Sequence, residues 1–122
     1  MTPDKSRSPS FSGESPSLDL VVVLTTWPAD HDIDAIAHRL VEQRLAACIT
    51  VLPVHRAMYR WDDAVETADE RQLVIKTTHE RLPALQAAVR AAHPYDVPEW
   101  LELPVTASDA YGAWLRASCD MA

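Results

Sequence analysis

The sequence predicts an α+β fold, one antiparallel sheet built in the order β-α-β, β-α-β with a long central hairpin and a short C-terminal helix. Three observations carry the prediction. The first is a run dense in β-branched residues, LDLVVVLT, at 18–25. The second is a pair of stretches with apolar residues at helical spacing. The third is two long β-rich segments that meet at the acidic dipeptide Asp62-Asp63.

Residues 1–17, MTPDKSRSPSFSGESPS, are rich in Ser and Pro and poor in aliphatics, a composition that cannot build a core, and are expected to be a disordered tail. The first strand, 18–25, reads as buried on both faces. Ile33, Ile36, Ala37, Leu40 and Val41 follow at helical spacing up to Arg44, behind the acids Asp30, Asp32 and Asp34, which favour a helix N-terminus. Strands are then expected at 47–61 and 64–78, joined by a tight turn, with Pro53 marking a bulge or an exposed portion. Leu82, Leu85, Val89 and Ala92 give a second helix, with Pro83 in its first turn and its end at His93, because Pro94 disfavours the α conformation in the residue before it. WLELPVT at 100–106 is the last strand, and DAYGAWLRA a short helical piece interrupted at Gly112. This is the ferredoxin-like order, with both helices on one face of the sheet. The uncovered face and a hairpin too long for two short helices to shield predict a homo-oligomer.

The chain of 122 residues suits one domain, read as 18–117 with a short tail at 118–122. A net charge of −7 without a Lys/Arg cluster argues against a nucleic-acid partner and leaves divalent cations as candidates. The tail contains no signal-peptide apolar run, and no stretch of roughly 18 apolar residues offers a membrane span, so a cytoplasmic protein with no membrane contact is expected. The two cysteines, Cys48 and Cys119, form no CxxC and are expected as reduced thiols.

RLAAC at 44–48, YRW at 59–61, LVIKTT at 73–78, HPYDVPE at 93–99, LPVT at 103–106 and YGAWL at 111–115 resemble, in this order, the motifs of the CutA family, named for divalent cation tolerance. The resemblance covers about residues 18–117. It implies a homotrimer of ferredoxin-like subunits whose hairpins wrap around neighbours, similar in architecture to the trimeric nitrogen-regulatory signalling proteins. It also implies a role in tolerance to copper and other divalent metals. The metal ligands proposed in some bacterial members, a first-strand cysteine and a His-His pair before Pro-Tyr, fall here on Thr25, Ala92 and His93. Only His93 keeps a ligand side chain.

His93 and Glu99, an imidazole and a carboxylate on a segment stiffened by Pro94 and Pro98, are the leading candidate ligands for Zn(II) or Cu(II). The competing reading of His93 is a cap on the carbonyl end of the second helix. Cys48 is a further candidate ligand, or else a small buried hydrophobe. Lys76, in an otherwise apolar strand, calls for an acidic partner such as Glu66 or Glu99. With Trp61 and Tyr95 it could form an interface pocket for a small anionic or zwitterionic molecule, or it could simply fix strand register. His31, Asp34 and His38 are read as sharing a helix face that is either a weak Cu(II) or Ni(II) site or plain solvated surface. Cys119 is expected as an unconstrained tail residue. With two glycines there is no phosphate-binding loop, and GxSxG and HExxH are absent, so a non-enzyme is expected. The resulting reading is weak divalent-metal binding in metal homeostasis, with a trimeric scaffold or signalling module binding a small molecule or protein at its interfaces as the alternative.

Overall fold

Alternation of burial through the middle of the first strand, Val21 to Thr25, sets the layering. The computed structural model describes residues 19–121, so the predicted N-terminal tail lies outside the described residues. Strand β1 (Leu20–Pro28) turns Val21, Val23, Thr25 and Trp27 into the interior, while Val22 and Leu24 stay half-exposed on the other face. Helix α1 (Ile33–Glu42) starts where the Asp32 carboxylate accepts the Ala35 N–H at 3.1 Å, a side-chain cap on an otherwise orphan donor. It is shorter than the predicted helix: the chain leaves it through Arg44, whose φ of 60° lies in the left-handed region.

The predicted strand 47–61 is two strands, β2 (Cys48–Val51) and β3 (His55–Trp61), both antiparallel to β4 (Ala64–Thr78). Between them residues 52–54 face Arg71 and Gln72, one residue more than their partners. This bulge falls at Pro53, which has no N–H to give a ladder, and Arg71 Nε donates to the Leu52 carbonyl there at 3.0 Å. At the hairpin tip Asp62 and Asp63 both have positive φ, 49° and 65°, as a two-residue hairpin turn of matching twist requires.

A 3-10 turn (His79–Arg81) leads into helix α2 (Leu82–Ala92), with Pro83 in its first turn and His93 extended beyond its end at ψ 137°. Strand β5 (Leu101–Pro104) pairs with β1, and helix α3 (Asp109–Ser118) follows, capped by Ser108. Contrary to expectation α3 runs unbroken through Gly112. A Cβ at that position would lie 3.2 Å from Arg116 Nη1 and 3.6 Å from Leu20 Cδ1, so the glycine there permits close packing and does not break the helix. Cys119, expected in a loose tail, is buried with Leu20, Ala47 and Leu115, since the end of α3 packs on the sheet.

The sheet order is β2-β4-β1-β5, with β3 extending the β4 partner line. Ile33 and Leu40 of α1 and Leu82, Leu85 and Val89 of α2 pack with Val21, Val23, Leu73 and Ile75 in one core cluster. Both helices therefore cover the same sheet face. The opposite face carries Val22, Leu24 and Val74 with Leu101 and Leu103 beside them in register, and those two leucines are 52% and 45% exposed.

Candidate functional site

The corner from His93 to Trp100 is where most of the predicted residues lie, and its geometry is set by backbone atoms. Because Pro94 holds His93 out of the helix, the imidazole turns back onto the end of β1. There Nε2 donates to the Thr26 carbonyl at 2.6 Å, while Nδ1 accepts the Tyr95 N–H at 3.0 Å. An acceptor at Nδ1 and a donor at Nε2 define the neutral Nε2–H tautomer. The ring is 9% exposed, lies 4.3 Å from the Trp27 ring centroid and 5.0 Å from that of Tyr95. Burial is the main cause that lowers its pKa, nearby His31 acts in the same direction, and the Thr26 hydrogen bond and Glu70 oppose them. Both ring nitrogens are thus engaged, and they hold the helix end to β1.

Thr25, fully buried, donates its hydroxyl to the Glu99 carbonyl at 2.6 Å. Gln72 Nε2 donates both to the Thr25 carbonyl, at 3.0 Å, and to Glu99 Oε2, at 2.8 Å. The far end of the corner is therefore tied to β1 and β4 as firmly as its start. Tyr95 Oη donates to Glu70 Oε2 at 3.2 Å, and burial, then the Glu70 carboxylate, pushes the phenol pKa up. Glu70 is itself only 7% exposed.

The remaining predicted residues lie elsewhere. Cys48 sits opposite Lys76 in the ladder, half-buried on β2. Among the described residues no group of three or more His, Cys, Asp and Glu is placed to hold a metal ion, so Cys48, His93 and Glu99 form no such group within the protomer. Lys76 has a phenol for a partner where an acid was expected: its Nζ donates to Tyr111 Oη at 3.1 Å and lies 5.3 Å from that ring's centroid. That hydrogen bond is the first cause raising the lysine pKa. Glu66 is opposite Tyr59 on the distal hairpin, roughly 33 Å from Lys76 along β4 at about 3.3 Å per residue. Trp61, 57% exposed, is at the hairpin tip. Within one protomer Lys76, Glu66, Trp61 and Tyr95 do not converge. His31 precedes α1 and contacts Asp30 at 3.0 Å, because Asp32 caps the helix after it, so only Asp34 and His38 share a helical face.

Sequence reasoning missed Glu70, Gln72, His55 and Tyr111. A single acid, amide or imidazole in a strand carries no periodic signal: Glu70 lies in the polar stretch ADERQ of the predicted strand, between Asp69 and Arg71, and only a histidine in the other predicted strand stood out.

The family described as "CutA1 divalent ion tolerance protein" matches residues 21–118. The chain is 42% identical over 106 residues to the divalent-cation tolerance protein CutA of Pectobacterium atrosepticum, covering 86% of this chain and 96% of the relative. It is 43% identical over 96 residues to the protein of the same name from Thermus thermophilus, covering 78% and 93%. A solved structure described as a divalent cation tolerance protein (Cut A1) from Thermus thermophilus superposes with a TM-score of 0.79 at 40% identity, covering 83% of this chain and 99% of that one. None of these names is an enzyme name. No helix among the described residues is long and apolar enough to cross a membrane.

Proposed function

The chain belongs to the CutA1 divalent ion tolerance family, and from that premise we propose that it serves divalent-cation tolerance as a non-enzymatic homotrimer that contacts Cu(II) or Zn(II) weakly. The observation that carries the weakness is the state of His93. Its two nitrogens already hold the Thr26 carbonyl and the Tyr95 N–H, so a metal at this imidazole must displace a protein hydrogen bond before it gains a ligand. Glu99 keeps one carboxylate oxygen beyond its bond to Gln72, and Cys48 is half-exposed on β2. These three are the ligands proposed to contact metal, each through few bonds. Calorimetric titration with Zn(II) and Cu(II), in parallel with a His93→Ala variant, tests the reading. Weak saturable binding by the natural chain supports it, and the absence of any saturable binding refutes it.

The uncovered sheet face supports the second reading, a ferredoxin-like trimeric scaffold that takes a small molecule or protein at its subunit interfaces. Val22, Leu24, Val74, Leu101 and Leu103 form a contiguous apolar surface that α1 and α2 leave uncovered and that α3 reaches at its Leu20 and Lys76 end, the kind of face another subunit covers. Across a boundary between subunits, Lys76 and Tyr95 of one copy could meet Glu66 and Trp61 of the next, as the long hairpin allows. Leu101→Asp with Leu103→Asp should shift the mass in light scattering from trimer to monomer, and an unchanged mass would refute this use of the face. Two free thiols suit the proposed cytoplasmic location.

A further inference from the structure

Directly opposed residues on an antiparallel ladder share a face, with Cβ atoms about 4.5–5.5 Å apart. His55 and Glu70 are such a pair. Each is incompletely satisfied. His55 Nδ1 is buried and has no hydrogen-bond partner. Glu70 is 93% buried by its 7% exposure, accepts one bond, from Tyr95 Oη at 3.2 Å, and no lysine or arginine among the described residues pairs with it. A carboxylate withdrawn from water needs positive charge or further donors. One cation between the two side chains would answer both deficits.

We propose that His55 and Glu70 form a divalent-cation site distinct from the corner residues, selective for ions that accept imidazole and carboxylate together, such as Zn(II), Ni(II) or Cu(II). Imidazole nitrogen and carboxylate oxygen bind zinc at about 2.0–2.2 Å, within reach of opposed side chains on a ladder. The remaining positions go to water, which keeps the affinity low. Tyr95 acts as a positioning residue: its hydroxyl holds Glu70 Oε2 and leaves Oε1 for the ion, as outer partners of metal-bound carboxylates do. Its N–H is anchored on His93, so the corner orients this site while its own proposed ligands stay apart from it. The inference rests on the reading of weak divalent contact and adds to the corner contacts a second, better-defined place.

The experiment is a Zn(II) titration of the full chain, by calorimetry and by two-dimensional NMR of the five histidine rings, on the natural sequence and on His55→Gln, Glu70→Gln, Tyr95→Phe and His93→Gln. One site per subunit is expected to fill first, with the His55 ring the first to shift and any corner contact following at higher Zn(II). Affinity should fall more than about tenfold in His55→Gln and Glu70→Gln, and measurably in Tyr95→Phe. Circular dichroism checks that each variant is folded, and the ring shifts of the natural chain decide the matter even if a variant is not. Binding that survives both His55→Gln and Glu70→Gln unchanged, or that shifts His31 or His38 with His55 unmoved, overturns this site and leaves the weak-contact reading intact. Binding lost only in His93→Gln returns the metal to the corner. No saturable binding of Zn(II) or Cu(II) overturns both.

Discussion

Replacing His93 by alanine should cost about 3–5 kcal/mol of stability per chain. The ring makes two hydrogen bonds to backbone, at 2.6 and 3.0 Å. Each lost bond costs about 1 kcal/mol, and more where a buried group is left without a partner, within a range of about 1–3 kcal/mol. Contacts with the Trp27 and Tyr95 rings, at 4.3 and 5.0 Å, add about 0.5–1.5 kcal/mol each. The assay is guanidinium unfolding at fixed protein concentration, followed by tryptophan fluorescence, with Trp27 directly under the ring as reporter. His93→Gln, whose amide can still donate to the Thr26 carbonyl, should recover part of the loss. The same assay has a pH arm. His93 is held below its ordinary value of 6.5, chiefly by burial, so the unfolded chain binds the proton first as pH falls. The stability that the neutral ring contributes is complete above pH 6.5 and is lost as the pH falls toward the folded-state value, with a limiting slope of about 1.4 kcal/mol per pH unit. A loss below about 1 kcal/mol in His93→Ala at pH 7.5, or an acid slope that survives unchanged in His93→Gln, would refute the reading of His93 as the neutral tie of the corner.

Thr25→Val keeps the shape but removes the hydroxyl donor to the Glu99 carbonyl, and should cost about 1–2 kcal/mol in the same unfolding assay. Tyr111→Phe should cost less than about 0.5 kcal/mol, because both it and the Lys76 ammonium are open to solvent, where screening leaves little net energy. Gly112→Ala should stabilise α3 by up to about 1 kcal/mol through helix propensity, since the nearest atom to the new Cβ is the tip of the flexible Arg116 side chain. A lowered melting temperature would show that the Arg116–Asp19 pair, at 2.6 Å, cannot yield.

Much of this fold is legible in the residues because it rests on periodicity. The β-branched run of β1, the apolar stripes of α1 and α2 and the Asp62-Asp63 turn were each readable, since each follows from a local rule that tertiary structure did not need to override. The ends were less so. β1 continues through Trp27 to Pro28 because β4 offers partners as far as Glu70, information held in a different part of the chain. Gly112 read as a helix break because glycine weakens helices on average, whereas here the close approach of Leu20 and Arg116 decides.

The candidate sites were harder, and the bulge at Pro53 shows why. Along β2 the register places Cys48 opposite Lys76 and Val51 opposite Leu73. Continued without interruption it would bring His55 opposite Asp69, which is exposed. The extra residue moves His55 opposite Glu70, a buried carboxylate tied through Tyr95 to the corner. One inserted residue exchanges the faces of everything beyond it, so it determines which acid an imidazole meets. A proline within a strand announces that a bulge is present but not on which side of it the ladder resumes, and the chemistry of His55 depends on that. Deleting Val54 should therefore leave two residues facing Arg71 and Gln72, an uninterrupted ladder in which His55 still meets Glu70, and Zn(II) binding at this position should persist with the hairpin intact by circular dichroism. Loss of binding after the deletion, with the hairpin intact, would mean that the cross-strand pairing of His55 with Glu70 is not what makes the site.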